Sequence, residues 1–356
     1  MSQSDRTKIE DRLGDSGEVA PVTYEISSYG ADFLVDGLVR RLRDGDIFIP
    51  AFQRGFVWTY RQASRFIESF LLGLPVPGIF LSKDFDSQRL LVIDGHQRLK
   101  TLQFFCDGVF ADSGRVFSLR GVQTQFEGLT YGTLRDEDKR RLNDSVVHAT
   151  VVKQEAPPED DSSIYYIFER LNTTGTPLLP QEIRHCIYRG EFNELLKDLN
   201  QMPPWRSVYG RVDKRMRDEE LILRFLALHF NAGTYERPMK EFLNRFMAGN
   251  RHLQLQPAGE LAGVFAETIG LFDDVLGHRA FRPVRALNAA VFDSVMVGVA
   301  SRLEAGGISD VKRLEDQYEA LLSNEEFQET TQRSTADEVN VAVRLQMATE
   351  AFADVE

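Results

Sequence analysis

The stretch Val92-Ile93-Asp94-Gly95-His96-Gln97-Arg98-Leu99 predicts a strand that runs through a polar joint into a helix. The run 89–93 has the branched, apolar character of a buried strand, and apolar residues then recur at helical spacing from Leu99 until Gly108. The first N–H groups of a helix lack partners inside the helix, and the helix dipole adds positive charge there, so a phosphate binds well at such a joint. The same pattern also fits an ordinary joint in which Asp94 caps the helix and Arg98 is a solvated charge.

Composition restricts how this chain could contact nucleic acid. The 356 residues are 42% hydrophobic, which is enough for one large core or two modest ones, and of these we expect two domains. The 54 acidic and 42 basic residues give a formal net charge of -12. Because the surface as a whole repels DNA, any contact with DNA must come from a local basic face.

The cysteines and the apolar segments indicate a cytoplasmic protein. Cys106 and Cys186 both stand on predicted helices among apolar neighbours, which is typical of free thiols in a reducing compartment. Residues 1–20 mix charges with Gly and Ser and predict a disordered lead-in. The longest apolar run, 70–81, is interrupted by two prolines, so we expect no membrane span and no membrane partner.

The remaining periodicity predicts an α+β protein with its strands near the N-terminus. A helix is expected over 32–43, and Thr59 with Gln62 has the spacing of a capping box that begins another helix. Strands are expected over 78–82, 89–93 and 146–152, followed by a Pro-rich acidic break. Helices are expected over the second half, at 164–171, from Pro180, and at 219–229, 239–247, 261–276, 284–303, 310–322 and 336–352.

Two further segments have the composition of binding sites. In 47–58, Gln53 and Arg54 stand between aromatic residues, which suits either a pocket that stacks a base and holds a phosphate or a loop that lines the core. The segment 205–217 interleaves aromatic residues with cations in an otherwise acidic chain. Its candidate contacts to the DNA backbone are Arg211, Lys214, Arg215 and Arg217, and the alternative is a charged loop that packs through its tryptophan.

Common catalytic motifs are missing from the sequence. It contains no Gly-x-x-x-x-Gly-Lys-[Ser/Thr] loop and no Gly-x-Gly-x-x-Gly fingerprint. The six histidines are scattered and form no cluster typical of a metal nuclease.

Three separated motifs resemble the N-terminal (S-type) domain family of GmrSD-like type IV restriction systems. They are 49–58, 94–98 and Phe168-Glu169-Arg170-Leu171-Asn172, and the resemblance covers roughly residues 25–200. It implies a fold similar to the ParB and sulfiredoxin type with a small mixed sheet. The expected organisation is a lead-in over 1–20, a ParB-like domain over 21–200 and an all-α domain over 201–356.

The resemblance also implies a set of site residues. Asp94, His96, Gln97 and Arg98 would be catalytic, with Asp94 also holding Mg²⁺, and Gln53, Arg54, Gly95 and Asn172 would bind a nucleoside triphosphate, namely GTP, UTP, CTP or ATP. The family usually has Gln where this chain has His96, which still donates a hydrogen bond but titrates near neutral pH.

The expected function is that of a nucleotide-binding, NTP-hydrolysing sensor of modified phage DNA, with cleavage by a separate His-Asn-His nuclease part that is not visible in this sequence. The expected partners are DNA and a nuclease or ATPase subunit, with homo-oligomerisation left open. A non-enzymatic DNA-binding or adaptor protein is the alternative, and a helical interaction protein with purely structural motifs is a third interpretation.

Overall fold

The computed structural model describes residues 25–49, 56–84, 87–111, 114–156, 162–171 and 178–356. It confirms the α+β class, with a small mixed sheet in the N-terminal part and helices in the remainder. The chain divides into two compact units. The first, called the sheet unit, contains Tyr24–Pro158 and Ser163–Leu178, and the second, called the helical unit, contains Leu179–Glu356.

A five-stranded mixed sheet organises the sheet unit. The strands of the unit are β1 (Glu25–Leu34), β2 (Ile47–Phe48), β3 (Ile79–Lys83), β4 (Leu90–Asp94), β5 (Val109–Phe110), β6 (Arg115–Val116) and β7 (Val146–Ala156), of which β5 and β6 form a separate hairpin. The other five lie in the order β1-β7-β3-β4-β2. The edge strand β1 is antiparallel to β7, β7 is parallel to β3, β3 is antiparallel to β4, and β4 is parallel to β2.

Helices cover one face of this sheet. They are α1 (Val35–Asp44), α2 (Tyr60–Leu71), α3 (His96–Asp107) and α4 (Asp136–Asn143), and α5 (Ser162–Leu171) follows later in the unit. Alternate strand residues such as Leu81 and Val92 share a buried core with helical residues such as Ile67 and Leu99. The two periods in the sequence, two in the strands and 3.6 in the helices, therefore place one apolar face of each element in the same core.

The start of α2 confirms the predicted capping box. The side chain of Thr59 accepts from the backbone N–H of Gln62, and the side chain of Gln62 accepts from the backbone N–H of Thr59. Two of the N–H groups that the helix leaves without internal partners are thereby satisfied.

The predicted start of the first helix was wrong by three residues. The helix begins at Val35, whereas Asp32 continues strand β1, which pairs with β7 as far as Leu34. Apolar residues at 33–35 fit both periods locally, and the pairing with a strand more than a hundred residues away decides between them.

The helical unit consists of helices close to the predicted positions. They are α6 (Pro180–Ile187), α7 (Glu191–Asn200), α8 (Pro203–Tyr209), α9 (Arg217–Asn231), α10 (Met239–Gly249), α11 (Ala258–Val275), α12 (Ala289–Leu303), α13 (Val311–Ser323), α14 (Glu325–Gln332) and α15 (Glu338–Phe352). The expectation that a helix starts at Val284 was wrong, because Asn288 caps α12 by accepting from the N–H groups of Ala290 and Val291. Among the described residues, no helix has the length and apolar character needed to cross a membrane.

Candidate functional site

The joint between β4 and α3 is built on a glycine that no other residue could replace without strain. Gly95 has φ of +101°, and a Cβ atom added to it would lie 2.5 Å from Cγ2 of Ile79. Both the backbone conformation and the neighbouring strand therefore require glycine. This tight packing places the first turn of α3 directly behind the end of β4.

An ion pair connects the end of β4 with the first turn of α3. Oδ2 of Asp94 lies 2.5 Å from Nη2 of Arg98, and Nη1 of Arg98 donates to the carbonyl oxygen of Gly78. The Arg98 side chain is only 16% exposed, while that of Asp94 is 39% exposed. Arg98 is thus held by the last residue of β4 and by the residue that precedes β3, and a guanidinium with five N–H donors keeps further donors for an anion.

Gln97 and His96 form the second set of contacts at this helix start. Oε1 of Gln97 accepts from the backbone N–H groups of Val57 and Trp58, at 3.0 and 3.2 Å. Its Nε2 lies 2.7 Å from Nε2 of His96. Because two N–H groups fix the carboxamide oxygen, its nitrogen donates and the His96 Nε2 accepts. Gln97 therefore anchors the end of the predicted 47–58 segment beside the joint.

The structure brings together five of the predicted nucleotide-site residues, namely Asp94, Gly95, His96, Gln97 and Arg98. Gln53, Arg54 and Asn172 lie outside the described residues. Across the described ranges, no three His, Cys, Asp or Glu side chains are grouped as a metal site. Asp94 would thus contribute one carboxylate to a Mg²⁺ ion, which commonly depends on substrate phosphates and water for its other ligands.

The part of the chain that contains this joint matches a known protein family. Residues 35–189 match the family model of the GmrSD restriction endonuclease N-terminal domain. This segment is a GmrSD N-terminal domain. The resemblance that the three motifs indicated is confirmed, and the coarse function that follows is that of a component of a type IV restriction system. The likeness to the ParB and sulfiredoxin type stays a prediction, and no curated relative matches the chain.

Two residues of the GmrSD N-terminal domain contact the joint but were not identified from the sequence, because no motif marks them. Gly78 supplies the carbonyl oxygen that accepts from Arg98, and Ile79 supplies the methyl group that fills the space beside Gly95. Both precede the joint by more than fifteen positions and act through the pairing of β3 with β4. Only the hairpin, which was predicted, gives an indirect indication of their role.

The segment 205–217 lies beyond the GmrSD N-terminal domain, in the helical unit, and its aromatic residues are not available for stacking. Trp205 and Tyr209 are fully buried. Trp205 Nε1 donates to Asn200 Oδ1 at 2.9 Å, and the guanidinium of Arg206 lies 5.6 Å from the Trp205 ring while pairing with Asp218. This part of the segment therefore packs through its tryptophan, as the alternative expected, but it does so as helix α8 and not as a loop.

The four candidate DNA contacts divide into two groups. Arg215 makes a bidentate contact with Glu182, with Nε and Nη2 each 2.8 Å from a carboxylate oxygen. Arg211, Lys214 and Arg217 are exposed and have no ion-pair partner among the described residues. The structure therefore ties one cation to the fold and leaves three cations on the surface.

Neither cysteine has the surroundings of a reactive thiol. Burial raises the pKa of the Cys106 thiol to about 12 and raises the pKa of Cys186 well above its usual value. A thiolate, which is the nucleophilic form, is thus disfavoured at both positions. The prediction that both are free thiols on helices is confirmed.

Proposed function

We propose that this chain is a nucleotide-binding sensor of its restriction system, and that the nucleotide phosphates bind at the start of α3. The observation that carries this proposal is the placement of Asp94 and Arg98 on either side of Gly95, at the N-terminus of a twelve-residue helix. The N-terminus of α3 then combines the helix dipole, backbone N–H donors and a guanidinium. This combination suits the binding of a phosphate.

In this proposal a phosphate binds by replacing Asp94 as the hydrogen-bond acceptor of Arg98. In the structure the Asp94 carboxylate accepts from Nη2 at the edge of the Arg98 guanidinium. A phosphate oxygen that binds there replaces the carboxylate as acceptor, while the contact from Arg98 to the Gly78 carbonyl holds the side chain in position. A Mg²⁺ ion bound with the nucleotide would supply positive charge to the released Asp94 carboxylate.

Hydrolysis of the nucleotide is part of the same proposal. Asp94 would orient the attacking water or hold the metal, and Arg98 would stabilise negative charge that develops on the transferred phosphoryl group. His96 and Gln97 would fix the first turn of α3, because their side chains hydrogen bond to each other and Gln97 also accepts from the backbone N–H groups of residues 57 and 58. In this scheme Gln97 is a positioning residue.

The test compares two arginines that pair with aspartates on or beside α3. Arg98→Ala removes the proposed phosphate contact, whereas Arg43→Ala removes a contact to Asp107 at the opposite end of the helix. We expect Arg98→Ala to weaken the binding of fluorescent GTP, ATP, CTP or UTP analogues by at least tenfold and to abolish phosphate release. Arg43→Ala should bind and turn over nucleotide as the wild type does. Equal affinities for the two variants would refute the site.

Direct DNA binding is a second candidate function of the same chain. It is favoured by Arg211, Lys214 and Arg217, which are exposed and have no ion-pair partner in the described part of a chain with net charge -12. Nucleotide-independent binding to DNA with a salt dependence that falls when these three cations are neutralised would support it. A partner nuclease subunit would then perform cleavage.

A further inference from the structure

A cavity lies in the sheet unit, at the opposite end of β4 from the Asp94 joint. Its volume is about 430 Å³, within the range of small-molecule sites. Lys83, the last residue of β3, and Leu90, the first residue of β4, both line it. A five-residue strand separates Leu90 from Asp94 by roughly 13 Å, so one phosphate could not reach both places.

The charge around this cavity is positive, in contrast to the chain as a whole. Arg41, Lys83 and Arg89 line it, and Asp46 provides the single carboxylate among the lining residues. None of these three cations has an ion-pair partner in the described part of the chain, although the Arg41 guanidinium lies 5.8 Å from the Phe33 ring. Three such cations around one cavity form an anion-binding environment.

The remaining walls are aromatic and apolar. Tyr29 is 49% exposed at the cavity, Phe33 lines it as well, and Leu90 and Val151 form buried apolar surface below them. An inorganic anion alone would gain no binding free energy from contact with this apolar surface. A flat ring, by contrast, gains both from contact with an aromatic side chain and from removal of its faces from water.

Hydrogen bonds connect Asp84 with Ser87 and Arg89 beside the cavity. Oδ1 of Asp84 accepts from both the N–H and the hydroxyl of Ser87, each at 2.8 Å. The backbone N–H of Asp84 donates to the carbonyl of Arg89 at 2.9 Å. These bonds hold the backbone of Ser87 and Arg89 close to Asp84 at the rim of the cavity.

We propose that this cavity binds a nucleotide unit, with the phosphate between Lys83 and Arg89 and the base ring against Tyr29. The shared chemistry is a phosphate next to a planar base, and it is provided either by a free nucleotide or by one nucleotide of a DNA strand. The site is separate from the joint at Gly95, and the proposal does not depend on nucleotide binding there.

Binding of three probes tests the two parts of the ligand. Thymidine 5′-monophosphate, inorganic phosphate and a fluorescein-labelled oligothymidylate are titrated into the full chain, and the affinities are measured by calorimetry and fluorescence anisotropy. The double variant Lys83→Gln/Arg89→Gln should weaken all three by at least tenfold. Tyr29→Ala should weaken the two nucleotide probes and leave inorganic phosphate unchanged, because it removes only the ring contact.

Matched variants separate this cavity from general electrostatics and from the joint. Arg40→Gln neutralises an exposed cation next to Arg41 on the same helix, and it should leave the affinities unchanged. The titrations are repeated in Arg98→Ala, which removes the phosphate contact proposed at the joint, so that the affinity that remains belongs to this cavity and a failure here is distinct from a failure at the joint. Tight monophosphate binding identifies a free nucleotide as the source, and tight binding of the oligonucleotide alone identifies DNA. Unchanged affinities in Lys83→Gln/Arg89→Gln, or equal effects of Tyr29→Ala on phosphate and nucleotide, would overturn the proposal.

Discussion

Asp94 and Arg98 form an ion pair, with Oδ2 and Nη2 2.5 Å apart, across the glycine at which α3 begins. The pair has two consequences that oppose each other. It orients the guanidinium toward the N-terminus of the helix, and it places a carboxylate where a phosphate would be repelled. The behaviour of the site is therefore expected to depend on the charge of Asp94.

Neutralising Asp94 should separate binding from turnover. In Asp94→Asn we expect affinity for nucleotide without Mg²⁺ to rise by roughly fivefold, equivalent to about 1 kcal/mol, because the competing charge is removed. Phosphate release in the presence of Mg²⁺ should be lost, since the carboxylate that holds metal or water is gone. The measurements are nucleotide titration without metal and a phosphate-release assay with metal. Weaker binding without metal would show that Asp94 contributes to the phosphate site by orientation alone.

Two glycines at the ends of α3 provide a test of the joint. Gly95 and Gly108 both have left-handed backbone conformations, with φ of +101° and +77°, but only Gly95 has a close neighbour at its Cβ position, Ile79. Replacement by alanine costs about 1 kcal/mol of conformational strain at either site. At Gly95 the contact adds about 1–3 kcal/mol. Chemical denaturation should thus show a larger loss of unfolding free energy for Gly95→Ala than for Gly108→Ala, and equal losses would mean that Ile79 yields without cost.

Gln97 should slow hydrogen exchange at the two backbone amides that it binds. Gln97→Ala removes the acceptor for the N–H groups of Val57 and Trp58, so amide hydrogen exchange at these two positions should accelerate. Gln97→Glu keeps an acceptor and should retain slow exchange. Its added negative charge should still weaken nucleotide binding at the start of α3. If exchange is equally slow in Gln97→Ala, the contact does not protect these two amides.

The joint itself could be predicted from sequence because its signals are local. A branched apolar run, an Asp-Gly pair and a helical repeat are adjacent in the chain, and the structure places strand, glycine and helix as this order requires. The contacts that give the site its geometry are not local. Arg98 reaches Gly78 across 20 positions and Gln97 reaches Val57 across 40, so they depend on how the strands and helices pack.

The same distinction explains why a distant partner was not predicted at two further places. Residues 32–34 fit a helical period as well as a strand, and their partner strand β7 begins at residue 146. The cations of 205–217 look alike in sequence, yet Arg215 meets Glu182 from another helix while its neighbours remain exposed. Periodicity gives the face on which a residue lies, but it does not identify a distant partner.

His229 should make the helical unit sensitive to acid. Burial lowers the pKa of His229, against the opposing effects of Glu304 and Glu260. The unfolded chain then binds protons more readily than the folded chain, so the stability contributed by neutral His229 is present above about pH 6.5 and is lost as pH falls through the folded pKa.

To test this, thermal unfolding of wild type, His229→Gln and Glu304→Gln is measured between about pH 7.5 and about pH 5. Wild type should lose stability across this interval, and His229→Gln should lose less because the titrating group is absent. Glu304→Gln should lose more than wild type, since Nε2 of His229 lies 3.3 Å from this carboxylate, which favours the protonated form. A pH dependence that is identical in wild type and His229→Gln would assign the acid sensitivity to other groups.

Arg215 should contribute to the stability of the fold, whereas Arg211, Lys214 and Arg217 should contribute to DNA binding. Glu182 is 5% exposed and also accepts from the N–H of Leu179, so Arg215→Ala leaves a buried carboxylate without its cation. We expect a loss of about 2 kcal/mol in unfolding free energy, below the range for fully buried pairs because Arg215 is partly exposed. Arg211→Ala, at an exposed side chain, should change stability by no more than about 0.5 kcal/mol.

DNA binding should show the reverse pattern. Replacing Arg211, Lys214 and Arg217 together by Gln should lower the slope of log affinity against log salt by about 2–3, roughly one for each phosphate that the variant no longer neutralises. Glu182→Gln weakens the pair with Arg215 and should leave that slope unchanged, because it removes no exposed cation. Anisotropy titrations over a series of salt concentrations measure the slope, and chemical denaturation of the same variants measures stability. A triple variant that keeps the wild-type slope would exclude this segment from any DNA contact.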